Sequence, residues 1–213
     1  SWGDMLDVWR AADEVELFET AWNFDHFYPL LGDKDGPCLE AWVTLSALAQ
    51  ATSRIRIGCM VNGVPYRHPA LVANMAASLD IVSGGRLELG LGAGWNEQET
   101  KAYGIDLLPM GQRMDRFEEA VEVIDSLLAH EITTFQGKYF QLEQARCEPK
   151  GPQRPRPPIV IGGGGEKRTL RIAARFAQHW NLPFATPEVF RKKNEILLAH
   201  CEAVGRDSSL IMR

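Results

Sequence analysis

Pro158-Ile159-Val160-Ile161-Gly162-Gly163-Gly164-Gly165-Glu166-Lys167-Arg168-Thr169 passes from an apolar, β-branched run through four glycines into residues suited to a helix. A short apolar run bounded by turn signals reads as a buried strand, and 169–178 reads as the helix after it. The same order repeats on either side. Upstream, 54–61 is a β-branched strand, His68-Pro69 opens a helix that Ser83-Gly84-Gly85 stops near Val82, and Leu87 to Gly92 forms the next strand. A helix over 110–129 follows. Nearer the start, 5–14 reads as a helix, a strand runs through Trp22, and the three- and four-residue spacing of Leu39, Trp42, Val43, Leu45, Leu48 and Ala49 marks a helix over 39–51. Downstream, 180–182 is a short strand, 187–204 a helix, and 209–212 begins another strand. Only 132–157 breaks the rhythm. Residues 132–148 read as a hairpin turning at Gln136-Gly137-Lys138, and 149–158 holds five prolines, which cannot join a regular ladder.

Repeated strand–helix alternation implies a parallel sheet with helices outside. Of its two closures, a doubly wound sheet and a (β/α)8 TIM barrel, the residues after the strands favour the barrel. Asp25-His26, Asn62-Gly63, Gly92-Ala93-Gly94, the 162–165 glycines and Asn181 are polar or small, and a barrel gathers such strand ends at one face, where its active site sits. A complete barrel takes about 250 residues. With roughly six strands and a helix ahead of the first, the 213 residues are expected to form one α/β domain over 1–213, a barrel lacking its first strand and final βα units, with an insertion at about 132–157.

Composition narrows the function. The chain has 23 Lys and Arg against 28 Asp and Glu, a net charge of −5, and 45% hydrophobic residues. That is enough apolar surface to exclude a disordered chain. It carries no basic excess to neutralise phosphates, so no nucleic-acid partner is expected. No apolar run approaches the roughly 20 residues of a membrane helix, and the start has no signal-peptide pattern. Cys38, Cys59, Cys147 and Cys201 lie far apart with no CxxC pair, which suits reduced thiols in the cytoplasm. The five histidines form no HxH or HxxxH pair, so no metal site is expected.

Four segments carry candidate chemistry. In Asn23-Phe24-Asp25-His26-Phe27, His26 stands just past a strand; a free histidine titrates near neutrality, so at a barrel mouth it is placed for general acid–base work. A loop histidine, or Asp25 as a helix cap, is the plainer alternative. The 162–165 glycines let backbone N–H groups approach an anion where a helix begins. Gly90-Leu91-Gly92-Ala93-Gly94 lacks the GxGxxG spacing of a dinucleotide site, and its glycines suit a flat ring lying against the backbone. Met60-Val61-Asn62-Gly63 suggests a bulge at a strand end, with ordinary core packing as the alternative.

Together these segments resemble the bacterial luciferase-like family, above all its deazaflavin (coenzyme F420)-dependent oxidoreductases. The resemblance covers nearly the whole chain. It rests on Trp22-Asn23-Phe24-Asp25-His26-Phe27, Arg56-Ile57-Gly58, His68-Pro69-Ala70-Leu71-Val72-Ala73, Leu79-Asp80-Ile81-Val82-Ser83-Gly84-Gly85-Arg86-Leu87 through Gly94-Trp95-Asn96-Glu97 and Glu99, and 158–165 with Thr169-Leu170. It implies the barrel with an insertion and a ring bound at the strand carboxyl ends. Asp25 and His26 would border the ring, with His26 the catalytic proton carrier. Met60-Val61 would be a non-proline cis bulge behind it. Gly63, Ala93, Gly94 and Gln98 would contact the ring or its ribityl chain, and Gly164 and Gly165 the phosphate. Sugar-phosphate dehydrogenases of the family carry a catalytic Glu where this chain has Trp95, which argues against glucose 6-phosphate. The expected activity is F420-dependent hydride transfer to or from a small organic substrate, in a homodimer. The alternatives are an FMN-dependent monooxygenase fed by a flavin reductase partner and a non-catalytic flavin-binding barrel.

Overall fold

The computed structural model describes residues 1–213. In chain order it has α1 (Trp2–Glu14), β1 (Thr20–Asn23), α2 (Ala41–Ala51), β2 (Arg56–Cys59), the two-residue β3 (Asn62–Gly63), α3 (Pro69–Val82) and β4 (Leu87–Gly92). Then come α4 (Glu97–Ala102), α5 (Met110–Ala129), the hairpin β5 (Thr133–Gln136) and β6 (Gln141–Ala145), β7 (Ile159–Gly162), α6 (Thr169–Phe176), β8 (His179–Asn181), α7 (Pro187–Ala203) and a 3-10 turn (Ser208–Leu210).

The strands of the main sheet run in the order β1-β2-β4-β7-β8, with β3 also beside β4, and every pair is parallel. Parallel pairing sets all the strand carboxyl ends on one edge of the curled sheet. β4 is buried along its whole length, as a strand covered on both faces must be. Ile57, Leu87, Leu89, Leu91, Ile159 and Ile161 are fully buried, each worth about 1.5–3 kcal/mol relative to exposure. On the outer side Ala73, Ala76 and Ala77 of α3 leave room for the bulkier Phe117, Val121 and Ile124 of α5 within the same core. On the inner side glycines serve a different end. A Cβ on Gly92 would lie 2.6 Å from Val61 Cγ2, and one on Gly162 3.0 Å from Val61 Cγ1. Val61, delivered by the Met60–Val61 cis peptide, fills the space those glycines of β4 and β7 leave.

The Leu79-to-Arg86 motif is a clamp. Asp80, fully buried, accepts from the Gln153 side chain at 2.7 Å and the Gln153 N–H at 3.2 Å, which pins the proline-rich loop to α3. Gly84 and Gly85 take φ of 68° and 86°, the left-handed region that side chains disfavour. They turn Arg86 so that it donates to the carbonyls of Ala49, Thr52, Ile55 and Ser83. Glu119 of α5 does the same for the inserted hairpin, accepting from the N–H groups of Lys138, Tyr139 and Phe140 at 2.9, 2.8 and 3.2 Å.

The structure corrects several boundaries. The hairpin turns at 137–140, about two residues later than Gln136-Gly137-Lys138, because Glu119 captures those N–H groups. β2 stops at Cys59, since the chain leaves the ladder at the cis bulge and re-pairs as β3. The strand expected over 209–212 is a 3-10 turn capped by Asp207, followed by a single bridge between Met212 and His179. α4 was not anticipated; Asn96 caps it.

A second clamp joins the end of α1 to the entry of β2. Asp13 accepts from the N–H groups of Ser53, Arg54 and Ile55 at 2.8, 2.9 and 2.7 Å. Partial burial alone would push this carboxyl up. The N–H groups of Ile55, Ser53 and Arg54 outweigh it and bring the pKa from 3.8 down to about 2. A carboxyl held below its unfolded value adds stability that is full above pH 3.8 and is lost as pH falls towards 2. Asp13→Asn is therefore expected to melt lower than wild type at neutral pH, with the gap narrowing below pH 3.8. Thermal unfolding of both proteins across a pH series checks this; a gap constant with pH would refute it.

Candidate functional site at the strand carboxyl edge

The loop after β1 is built into the edge rather than draped over it. Asn23 at the end of β1 donates to the Ala41 carbonyl at 2.8 Å. Asp25 is buried and accepts from the Gly63 N–H at 3.1 Å and from Arg67 at 2.7 Å. Arg67 also donates to Glu40 at 2.5 Å, and Glu40 caps α2 by accepting from the Val43 N–H. Asp25 thus ties the β1 loop to β3, and its contacts lie within the protein framework.

His26 follows. Its Nδ1 lies 2.7 Å from Glu99 Oε2, and the two side chains are 12% and 1% exposed. Glu99 is saturated with donors. Oε1 accepts from the N–H groups of Phe27 and Tyr28 at 3.1 and 3.2 Å, and Oε2 also accepts from the Tyr66 hydroxyl at 3.0 Å. Burial pushes the Tyr66 phenol up and its bond to Glu99 pushes it further, so Tyr66 stays a donor. Glu99 reaches this position from the first turn of α4, where Asn96 accepts from its N–H at 3.2 Å. Trp95 stands edge-on to His26, ring centroids 5.6 Å apart at 62°, and is 63% exposed. Phe27 in turn stacks on Tyr103 at 4.2 Å.

The other candidates lie on the same edge in varied environments. Met60 and Val61 are partly buried, Gly63 is buried in β3 opposite Gly92, and Ala93 is half-buried. Gly94 has φ of 77°, and a Cβ there would lie 2.8 Å from Pro65, so Gly94 is pressed against that ring. The space on the Cβ side of Gly92 and Gly94 is therefore filled by Val61 and Pro65. Gln98 is exposed on α4. Beyond β7, Gly163 has φ of 114° and its carbonyl accepts from the Trp180 indole at 2.9 Å. The N–H groups of Gly164, Gly165 and Glu166 donate to no backbone acceptor and point to a run of free donors just ahead of α6. Lys193 extends from α7 to Glu166 beside this loop at 2.9 Å. The structure thus joins Asp25 to Gly63, His26 to Trp95 and Val61 to Gly162, while Gln98 and the 164–165 glycines make no such contact.

Sequence reasoning missed Glu99 and Tyr66 as parts of the site. The available signal was Asn96 followed three residues later by Glu99, a pattern that marks a helix start. It would have placed Glu99 on its own N-cap, whereas Glu99 turns instead to the β1 loop.

The model of the luciferase-like monooxygenase family matches residues 1–212. The F420-dependent hydroxymycolic acid dehydrogenase of Mycobacterium tuberculosis is 34% identical over 212 residues, 98% of this chain and 56% of that protein. Pyrimidine monooxygenase RutA of Agrobacterium fabrum is 32% identical over 179 residues, 79% of this chain and 47% of that protein. Among solved structures, an F420-dependent secondary alcohol dehydrogenase in complex with an F420-acetone adduct superposes with a TM-score of 0.89 at 27% identity, covering 99% of this chain and 63% of that one. The chain spans about half the length of the curated relatives it matches.

Proposed function

This chain belongs to the luciferase-like monooxygenase family, and from that premise we propose that it acts as a coenzyme F420-dependent oxidoreductase, moving a hydride to or from a small organic substrate. The observation that carries this reading is the placement of His26, tied to buried Glu99, on the edge where the glycine segments also end. Its 34% identity to an F420-dependent dehydrogenase supports it. The residues present fit a phosphorylated ring cofactor. The free N–H groups of Gly164, Gly165 and Glu166 at the start of α6 suit a phosphate, and Val61, backed by glycines, offers an apolar face. The deazaflavin, when bound, supplies the carbon that accepts or gives the hydride. In this reading Gly164 and Gly165 hold the phosphate through their N–H groups. Met60, Val61, Gly63, Ala93, Gly94 and Gln98 line the ring and ribityl chain, Asp25 fixes the backbone beside them, and His26 moves a proton at the substrate. Trp95 shields His26 from water on one side. A homodimer and a cytoplasmic location belong to the same proposal; no helix is long and apolar enough to cross a membrane.

Similarity to a pyrimidine monooxygenase favours a second reading, an FMN-dependent monooxygenase using reduced flavin and oxygen with a reductase partner. Titrating the purified protein with F420 and with FMN, followed by cofactor fluorescence, separates the two. Tighter binding of F420 supports the first, binding of FMN alone supports the second, and binding of neither overturns both. Binding of a cofactor without turnover across a redox substrate screen would favour a non-catalytic barrel.

The phosphate assignment has its own test. A Cβ on Gly164 would lie 2.6 Å from Leu182 Cδ1, so Gly164→Val crowds the loop and screens its donors. Cofactor affinity is expected to fall about tenfold or more, a loss of about 1.4 kcal/mol, with the melting temperature little changed. An unchanged titration would refute the placement.

A further inference from the structure

We propose that Glu99 is a positioning residue that makes His26 Nε2, and not Nδ1, the atom that carries the proton. The inference deepens the function proposed above and rests on it. A neutral imidazole has one N–H and one acceptor nitrogen, and the partner of one nitrogen decides the state of the other. Here the partner of Nδ1 is a carboxylate oxygen at 2.7 Å that has nothing to donate, because the Tyr66 hydroxyl already donates to the same oxygen at 3.0 Å. Nδ1 therefore bears the hydrogen, and Nε2 is left with its lone pair. The other carboxylate oxygen fixes the orientation. It accepts from the Phe27 and Tyr28 N–H groups, so one buried side chain grips both the ring and the backbone that carries it. The Trp95 ring stands beside the imidazole, centroids 5.6 Å apart. The remaining charged groups nearby, Asp25, Arg67 and Glu40, are committed to one another.

The resulting step balances for a substrate whose hydroxyl becomes a carbonyl. The O–H bond breaks and its proton passes to His26 Nε2. With a bound deazaflavin to take it up, the C–H electron pair would leave as hydride, and the C=O bond would form. In reverse, Nε2–H returns the proton to the carbonyl oxygen. The arrangement of carboxylate, imidazole and reacting oxygen is the triad logic in which a third group sets the tautomer of the base.

The test reads the tautomer directly, in protein without cofactor. Histidine-labelled protein is examined by long-range 1H–15N correlation, with His26→Ala assigning the signals. The expected result is a neutral His26 with Nδ1 protonated and Nε2 bare. A protonated Nε2, or an even mixture, would overturn the proposal. Glu99→Gln presents an amide that can turn its own NH2 to Nδ1. That variant is expected to lose the Nδ1–H preference and about 10²-fold in kcat, with cofactor affinity almost unchanged, and Glu99→Asp should restore part of the rate. A Glu99→Gln enzyme with both the wild-type tautomer and wild-type kcat would overturn the assignment. Should Glu99→Gln not fold, the wild-type spectrum decides alone. Failure to bind F420 would sink the proposed function yet leave the tautomer measurement standing, so the two failures are distinguishable.

Discussion

Gly90→Ala is expected to leave little folded protein. A Cβ at that position would lie 2.0 Å from the Cys59 carbonyl oxygen and 3.0 Å from Val61 Cγ1. The first of these is backbone in the neighbouring strand, so no side-chain rotation relieves it, and moving it would break the β2–β4 register. Overpacking a core costs about 1–3 kcal/mol when side chains can give way. With backbone as the obstacle we expect about 3 kcal/mol or more, which in a domain of this size lowers the melting temperature by roughly 10 °C. Gly111→Ala is the control, because nothing lies within 4 Å of a Cβ there. In the first turn of α5 it should be neutral or stabilising by up to about 1 kcal/mol. Thermal denaturation of the two variants beside wild type checks the pair. A Gly90→Ala protein that melts with wild type would mean that β2 and β4 are not packed as described.

His26→Ala is expected to have the largest effect on activity. A positioned proton carrier contributes about 10²–10⁴-fold in rate, and its removal should cost most of the turnover while cofactor affinity stays within a few-fold. A histidine that merely packs against Trp95 and Glu99 predicts the reverse pattern, a lower melting temperature with activity per folded molecule preserved. Measuring kcat and melting temperature on one preparation separates them. Full turnover in His26→Ala would show that another residue or water carries the proton.

The parts of the candidate site that were legible in the sequence were those whose physics is local. The glycines of 162–165 and the Asp25-His26 pair announce themselves by standing just past a strand, since residues there point to one edge of any parallel sheet. Trp95 was legible as a departure from a motif. Glu99 was not. It lies 73 residues from His26, inside Asn96-Glu97-Gln98-Glu99-Thr100, a polar run that by itself reads as a solvated helix start. Gln98 drew attention from the same turn and is exposed there, while its neighbour is buried, because the helical rotation of about 100° per residue sends adjacent side chains to different surroundings.

The periods of 2.0 and 3.6 residues, the turn glycines and the prolines were enough to set the strand–helix order, the parallel sheet and the helices α3 and α5, because each depends on neighbours in sequence. They could not decide what fills the space above Gly92 and Gly162, which carbonyls Arg86 would bind, or why the segment over 209–212 makes a single bridge in place of a strand. Those outcomes depend on groups brought together from distant parts of the chain. Val61 lies across from two strands it does not precede directly, and the buried carboxylate of Glu99 takes whichever donors the packed loops present. A buried charge must be satisfied, but only the tertiary structure decides by what. For Glu99 it chose His26, Tyr66 and two backbone N–H groups of the β1 loop.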